Sequence, residues 1–191
     1  MTANLTPDEW VAHLAPFDRW NERILLAALA LFGLPESLLD LGSGTGAMVN
    51  LARKLGVDAW GVDQTLRDEE HLLQLDLTVP LELGRTFVWV TCLETIEHLP
   101  PAGGDVLLDS IAHHLAPGGL CLFSAAIPGQ GGDGHENLRH AFEWRSLLDA
   151  RGLTFRRDWT VRLAQVWGLV PSPLFWLAGN VQVFERGWVH D

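Results

Sequence analysis

The chain has 191 residues, 48% of them apolar, and a formal net charge of −11 at pH 7. That length fits one domain with a full core. The acidic balance, with Lys54 the one lysine, argues against tight, unspecific nucleic-acid binding, which depends on a basic surface; Arg151, Arg156, Arg157 and Arg162 form the one candidate local basic patch. Cys92 and Cys121 lie in apolar stretches and read as reduced core residues of a cytoplasmic protein. No basic segment precedes an apolar run at the N-terminus, as a signal peptide would require. The longest apolar run, residues 24–34, is too short to cross a bilayer, which takes ~20 residues.

Thr6-Pro7-Asp8-Glu9 reads as a helix start, with Thr6 as cap, Pro7 at the first helical position and Glu9 closing a capping box. A second helix is predicted over about residues 18–32, ending at Gly33 before Pro35. Residues 1–34 thus form an N-terminal helical cap, which either lies over the binding corner as a lid or only covers one sheet face. Leu38-Leu39-Asp40-Leu41 reads as a short buried strand and Gly42-Ser43-Gly44-Thr45-Gly46 as a tight turn. The helix predicted over residues 47–55 has apolar residues at Met48, Leu51, Ala52 and Leu55. Strand, glycine turn and helix in that order make the ligand corner of a doubly wound α/β sheet. Glycine serves there because the turn uses φ > 0 and a ligand must approach the backbone closely. The spacing is G-x-G-x-G, where a dinucleotide fingerprint reads G-x-G-x-x-G. Asp40 beside the turn would repel a pyrophosphate and suits a ligand carrying a cationic amino group and hydroxyls.

Residues 59–62 read as the second strand, ending at Asp63, an acid about 20 residues past the turn and placed to accept hydrogen bonds from a ribose diol. Residues 72–75 read as the third strand, leading into Asp76-Leu77-Thr78. There Asp76 can accept from an exocyclic amine and Leu77 can pack on an adenine ring. Residues 87–91 form a nearly continuous apolar fourth strand, as expected of a buried parallel strand. A helix over 105–115 stops at Pro117-Gly118-Gly119. A fifth strand over 120–125, a flexible glycine loop over 129–134 and a helix over 142–150 follow. Two last strands are predicted over 154–162 and 181–186, with a Trp/Pro-rich segment, 167–176, between them. The fold class is α/β: a Rossmann-like doubly wound seven-stranded sheet, mostly parallel with the last strand antiparallel, and helices on both faces. A single domain spans 1–191, with its core over 35–191.

Leu39-Asp40-Leu41-Gly42-Ser43-Gly44-Thr45-Gly46, Gly61-Val62-Asp63, Leu75-Asp76-Leu77, Leu93-Glu94-Thr95-Ile96-Glu97-His98-Leu99-Pro100 and Leu115-Ala116-Pro117-Gly118-Gly119 follow one another in this order. In these segments the chain resembles class I S-adenosylmethionine-dependent methyltransferases, over about residues 38–186. The resemblance implies transfer of the sulfonium methyl to a nucleophile. It implies that S-adenosylmethionine is held by Asp40, Gly42, Ser43, Gly44, Thr45, Gly46, Asp63, Gln64, Asp76, Leu77 and Leu93. Val88 departs from the pattern, because many relatives carry an acid there. Phe123-Ser124-Ala125-Ala126-Ile127-Pro128-Gly129-Gln130-Gly131-Gly132, then His135-Glu136-Asn137 and Trp144, is similar to a group of small bacterial and phage methyltransferases often associated with surface-glycan or unassigned substrates. A small-molecule or glycan acceptor, methylated on oxygen, follows as the expectation, with Glu97, His98, His135 and Asn137 as catalytic candidates. A metal-dependent RNA 2′-O-methyltransferase, against which the −11 charge weighs, a cofactor-binding protein without catalysis and a nicotinamide dehydrogenase are the alternatives.

If residues 94–98 form a helical turn, Glu94, Glu97 and His98 share one face. Two carboxylates and an imidazole can bind a divalent cation such as Mg, Mn or Zn, which would hold a diol and lower its hydroxyl pKa. This E-x-x-E-H pattern resembles that of metal-dependent O-methyltransferases acting on small-RNA 3′ ends and ubiquinone precursors. That resemblance implies a fourth ligand, His140, in His140-Ala141-Phe142-Glu143-Trp144, with His135 as competitor. Glu97-His98 also recurs in methyltransferases without a metal, where the histidine acts as base or caps a helix. His135 and Asn137 follow the glycine loop and either swing over the acceptor or form an exposed pair. His113 and His114 are expected on the surface. Trp159, Trp167 and Trp176 are expected mostly in the core, with one or two free to form an aromatic wall. His71 and His190 carry no visible role.

Overall fold

The computed structural model describes residues 7–65, 70–171, 173 and 175–188; the expected cap Thr6 and His190 lie outside them. Helix α1 (Pro7–Leu14) and helix α2 (Asp18–Phe32) precede the sheet. Then follow β1 (Ser37–Leu41), α3 (Ala47–Lys54), β2 (Asp58–Asp63), β3 (Leu72–Gln74) and β4 (Phe87–Leu93). The second half holds α4 (Pro101–His114), β5 (Leu115–Ser124), α5 (Ala141–Asp149), β6 (Leu153–Phe155), α6 (Arg157–Gly168), α7 (Phe175–Asn180) and β7 (Gln182–Arg186).

The seven strands form one sheet in the order β3-β2-β1-β4-β5-β7-β6. All neighbours are parallel except β7, which runs antiparallel to both β5 and β6. The strand order reverses between β1 and β4, the switch point where such sheets open a ligand crevice. Every residue of β1 is buried. Leu39 and Leu41 enter an apolar cluster with residues of α4 and α5, and Leu38 enters a second cluster with residues of α2, α3 and α6. Helices therefore cover both faces, and the crevice opens at the carboxyl ends of β1 and β4.

Three segments differ from the sequence expectation. The predicted strand over 154–162 is a three-residue strand, β6, followed by α6. Its alternating Thr154-Phe155 pattern gives way to Trp159, Leu163 and Trp167 at four-residue spacing, a helical stripe packed in the α2 cluster. The Trp167 indole N–H donates to the Ile24 carbonyl at 3.0 Å and fixes α6 on α2. Second, α4 starts at Pro101 rather than 105 and carries Gly103 and Gly104 inside it. A Cβ at Gly103 would lie 2.7 Å from the Thr78 methyl and one at Gly104 2.4 Å from Asn137 Nδ2, so close packing outweighs poor helix propensity. Third, β5 begins at Leu115 and passes through Pro117-Gly118-Gly119, with an irregularity opposite Phe87 and Trp89.

The glycine turn carries the strictest demand. Gly42 has φ +81°, and a Cβ there would meet the Thr95 hydroxyl at 2.1 Å. Gly56, by contrast, has φ +90° with open space around it. Gly42→Ala should lower the unfolding free energy by about 2 kcal/mol or more and Gly56→Ala by about 1 kcal/mol, a difference that urea denaturation resolves.

Candidate active site

The crevice is a cavity of about 850 Å³. Its floor comes from the turn after β1. The Gly42 and Ser43 amides donate to the Val62 carbonyl at 2.8 and 3.2 Å, and the Gly46 amide to Ser43 at 2.9 Å. Gly44 turns its N–H onto Asp63 Oδ2 at 2.9 Å. The Thr65 amide and hydroxyl donate to Asp63 Oδ1 at 2.9 and 2.6 Å. Asp63 thus both locks the turn and lines the cavity. The Ser43 hydroxyl is buried without a partner among the described residues, a vacancy suited to a ligand's polar atom.

Asp40 lies one strand inward, 4% exposed. It accepts from the Thr91 hydroxyl at 2.6 Å. Burial first and the Asp63 charge second push its carboxyl up to about 6, while the Thr91 bond opposes them. At the far side, Asp76 holds the Thr78 amide and hydroxyl at 2.8 and 2.7 Å, which keeps its carboxyl below its usual range. Leu77 is buried beside it. Gln64 and Leu93 also line the cavity, whereas Thr45 and Gly46 do not. Thr45 instead donates its hydroxyl to Asp18 on α2, and Gly46 packs on Leu72.

The expected lining missed the N-terminal cap. His13, Leu14, Phe17 and Asn21 border the cavity, and Leu14 sits 3.1 Å from where a Gly44 Cβ would be. The cap therefore borders the crevice through these four residues, none of them in the expected cofactor-binding set. The signal was present: His13, Phe17 and Asn21 recur every four residues, one stripe of a helical segment.

Past Leu93 the chain makes a sharp corner. Glu94 adopts φ +48°, and only Ile96–His98 is helical, as a single 3-10 turn. The uniform helical face expected for Glu94, Glu97 and His98 does not form. The corner instead folds Glu94 back beside Glu97, and each carboxyl is raised above its usual range, by burial first, with the Glu94 charge adding to the shift of Glu97. Glu97 is fully buried, with Oε1 accepting the Ala126 amide at 3.0 Å and Oε2 unpartnered. His98 and His135 stand edge to face, ring centroids 4.9 Å apart. Burial, then the neighbouring His135, pushes the His98 imidazole below its ordinary value, against hydrogen bonds to the Gly134 and Asp133 backbone.

Among the described residues Glu97, His98 and His135 bring ligand atoms within 4.8 Å of one another. His140 does not join them. It caps α5 and stacks on Phe142 in a separate pocket. Asn137 does not hang over the cavity either: it is 4% exposed, packed on Gly104 and bonded by Arg139. His114, expected on the surface, is buried between the Ser110 carbonyl and the Leu83 amide. Of the tryptophans, Trp176 reaches the cavity wall, while Trp159 and Trp167 are core. Arg151 and Arg156 are paired with Asp109 and Glu185, which removes two of the four members of the supposed basic patch.

The sequence matches a family described as methyltransferase domain over residues 12–158. The chain belongs to this family, as a class I S-adenosylmethionine-dependent methyltransferase. Its fold is that of an amino pentose methyltransferase from Micromonospora echinaspora, at 18% identity and TM-score 0.64, covering 97% of this chain and 100% of that one. A sugar N-methyltransferase from Streptoalloteichus sp. ATCC 53650 aligns at 19% identity and TM-score 0.61, covering 87% and 86%. The 1,6-didemethyltoxoflavin N1-methyltransferase of Burkholderia thailandensis aligns at 18% and 0.61, covering 98% and 93%. No curated protein matches the sequence significantly.

The raised Asp40 carboxyl has a consequence for stability. Its proton leaves the unfolded chain near 3.8 and the folded chain near 6. Its contribution is therefore full below 3.8 and lost as pH rises to about 6. Asp40→Asn should stabilise the ligand-free protein by up to about 3 kcal/mol at about pH 7 and leave it unchanged near pH 3.5. Urea unfolding at the two pH values measures this, and the same variant should bind S-adenosylhomocysteine more weakly.

Proposed function

We propose that this enzyme transfers the methyl of S-adenosylmethionine to a hydroxyl of a small-molecule or glycan acceptor. One observation carries the reading: a single cavity has the glycine turn, Asp40 and Asp63 at one end and Glu94, His98 and His135 at the other. The first end suits the cofactor. Asp63 can accept from a ribose diol, Asp76 and Leu77 suit an adenine, and a cationic amino acid group would offset the burial that raises Asp40, while a diphosphate would aggravate it. The bound cofactor supplies a carbon already activated by positive sulfur.

The chain's own task is then alignment, exclusion of water and handling of one proton. Alignment and water exclusion alone contribute several kcal/mol. His98, kept neutral by its buried setting, retains a ring lone pair that can take the acceptor's proton. Two structural neighbours are named a sugar N-methyltransferase and an amino pentose methyltransferase, which makes a sugar amine the competing acceptor.

A second reading adds a divalent cation on Glu97, His98 and His135. It is favoured by the unpartnered Glu97 Oε2 and His135 Nδ1 in that cluster. A metal there would lower the pKa of an acceptor hydroxyl.

Calorimetric titration tests both. Asp63→Ala should weaken S-adenosylhomocysteine binding by about tenfold or more, and His98→Ala should leave it intact while lowering turnover on an acceptor panel of hydroxylated and amino sugars. Binding of Mn²⁺ should be lost in His135→Ala and kept in His140→Ala; the reverse, loss in His140→Ala with binding kept in His135→Ala, would restore the ligand set read from the E-x-x-E-H resemblance.

A further inference from the structure

Beside the large cavity lies a second pocket of about 360 Å³ that the reading above does not use. The segment leaving β5 divides the two. The Ala126 amide binds Glu97 on one side, while Ala125 and Ile127 line the small pocket on the other. Asn180 is the remaining partition. It lines the small pocket and donates to Glu94 Oε1 at 3.3 Å, a residue of the large one, and to Gln130 Oε1 of the glycine loop at 3.0 Å. Asn180 therefore joins the wall of the small pocket to Glu94 in the large one.

The walls have a definite chemistry. Trp144 is a fully buried wall, and His140 and Phe142 stand in parallel, 10° apart in plane, with Phe142 63% exposed. Flat faces of this kind take a flat ring. Arg145 also lines the pocket. Its Nε donates to Gln182 at 2.8 Å and its guanidinium lies 4.0 Å from the Phe155 ring centroid. Among the described residues no carboxylate pairs with it, in a protein with 24 acids and 13 arginines and lysines. Glu143, the acid nearest in sequence, is bonded to the His140 amide at 2.8 Å. A half-buried guanidinium with free N–H groups facing a cavity is a carboxylate receptor in waiting.

We propose that this pocket holds the body of the acceptor, a flat ring bearing a carboxylate, with Arg145 pairing with that carboxylate and the nucleophile reaching past Asn180 toward Glu94. This rests on the methyltransferase reading and adds the acceptor's charge and shape to it. It also gives the His140-to-Trp144 string a role in acceptor selection in place of metal ligation.

The test compares acids with their uncharged amides. The protein, with and without S-adenosylhomocysteine, is titrated with 4-hydroxybenzoate and indole-3-carboxylate and with the amide of each. Calorimetry and the Trp144 indole N–H resonance, assigned with Trp144→Phe, report binding. At least one acid should bind about tenfold more tightly than its amide and shift that resonance. Arg145→Met should abolish the preference and Arg145→Lys should keep part of it, with S-adenosylhomocysteine affinity unchanged in both. Equal binding of acid and amide, no binding of any acid, or a preference that survives in Arg145→Met overturns the proposal. Should Arg145→Met fail to fold, the acid–amide comparison in the unaltered protein still decides. An acid that binds yet neither accepts a methyl nor inhibits transfer to the sugar panel overturns the acceptor assignment. Failure of S-adenosylhomocysteine to bind, with the acid preference intact, sinks the cofactor reading and leaves the pocket's chemistry standing.

Discussion

Carboxyl groups crowded into a poorly hydrated corner are the constraint from which the rest of the molecule follows. Asp40, Asp63, Glu94 and Glu97 all stand where the sheet reverses its strand order, and their main partners within the chain are neutral: the Thr91 hydroxyl, the Gly44, Thr65 and Ala126 amides, and the Asn180 side chain. Neutral donors soften such a cluster without cancelling it. The upward shifts of Asp40, Glu94 and Glu97 record the remainder. A sulfonium or ammonium group entering the crevice supplies what the protein withholds. Instability in the empty site is thus the counterpart of affinity in the filled one.

The N-terminal cap belongs to the same arrangement. Asp18 holds the Thr45 hydroxyl and Leu14 rests over Gly44, so the helices before the sheet are tied to the loop that must admit a ligand. Both ties lie at the cavity rim, whereas α2 itself is anchored deeply through Ile24, Leu25 and Ala28.

Much of this was legible in the sequence, for local reasons. The corner at residues 38–46 is readable because strand, turn and helix each carry their own signal, and the run of β4 because burial on both faces leaves Thr91 as its one polar residue. What escaped detection depended on tertiary context. The stretch after Phe155 alternates well enough to pass as a strand, and only the four-residue spacing of three large side chains across its full length betrays α6. The spacing of Glu94, Glu97 and His98 fits a helical face, but spacing alone cannot reveal the left-handed backbone at Glu94. His140 and His135 were both candidate ligands on sequence grounds, and the capping of α5 separates them. Asn137 follows four glycines within residues 129–134, a loop signal that leaves its burial open, yet Gly104 of α4 makes room for it.

Strand β7 has a consequence for how the chain comes to be folded. It lies between β5 and β6, so Leu120 pairs with Glu185 and Thr154 with Glu185 from the other side. During synthesis the edge of β5, rich in apolar residues, emerges long before the strand that covers it. Until residues 182–186 have left the ribosome that edge is open to any other extended segment, including one from a neighbouring nascent chain. Closure of the sheet is a late, long-range event, and the last strand acts as the clasp that ends the chain's exposure to misassembly.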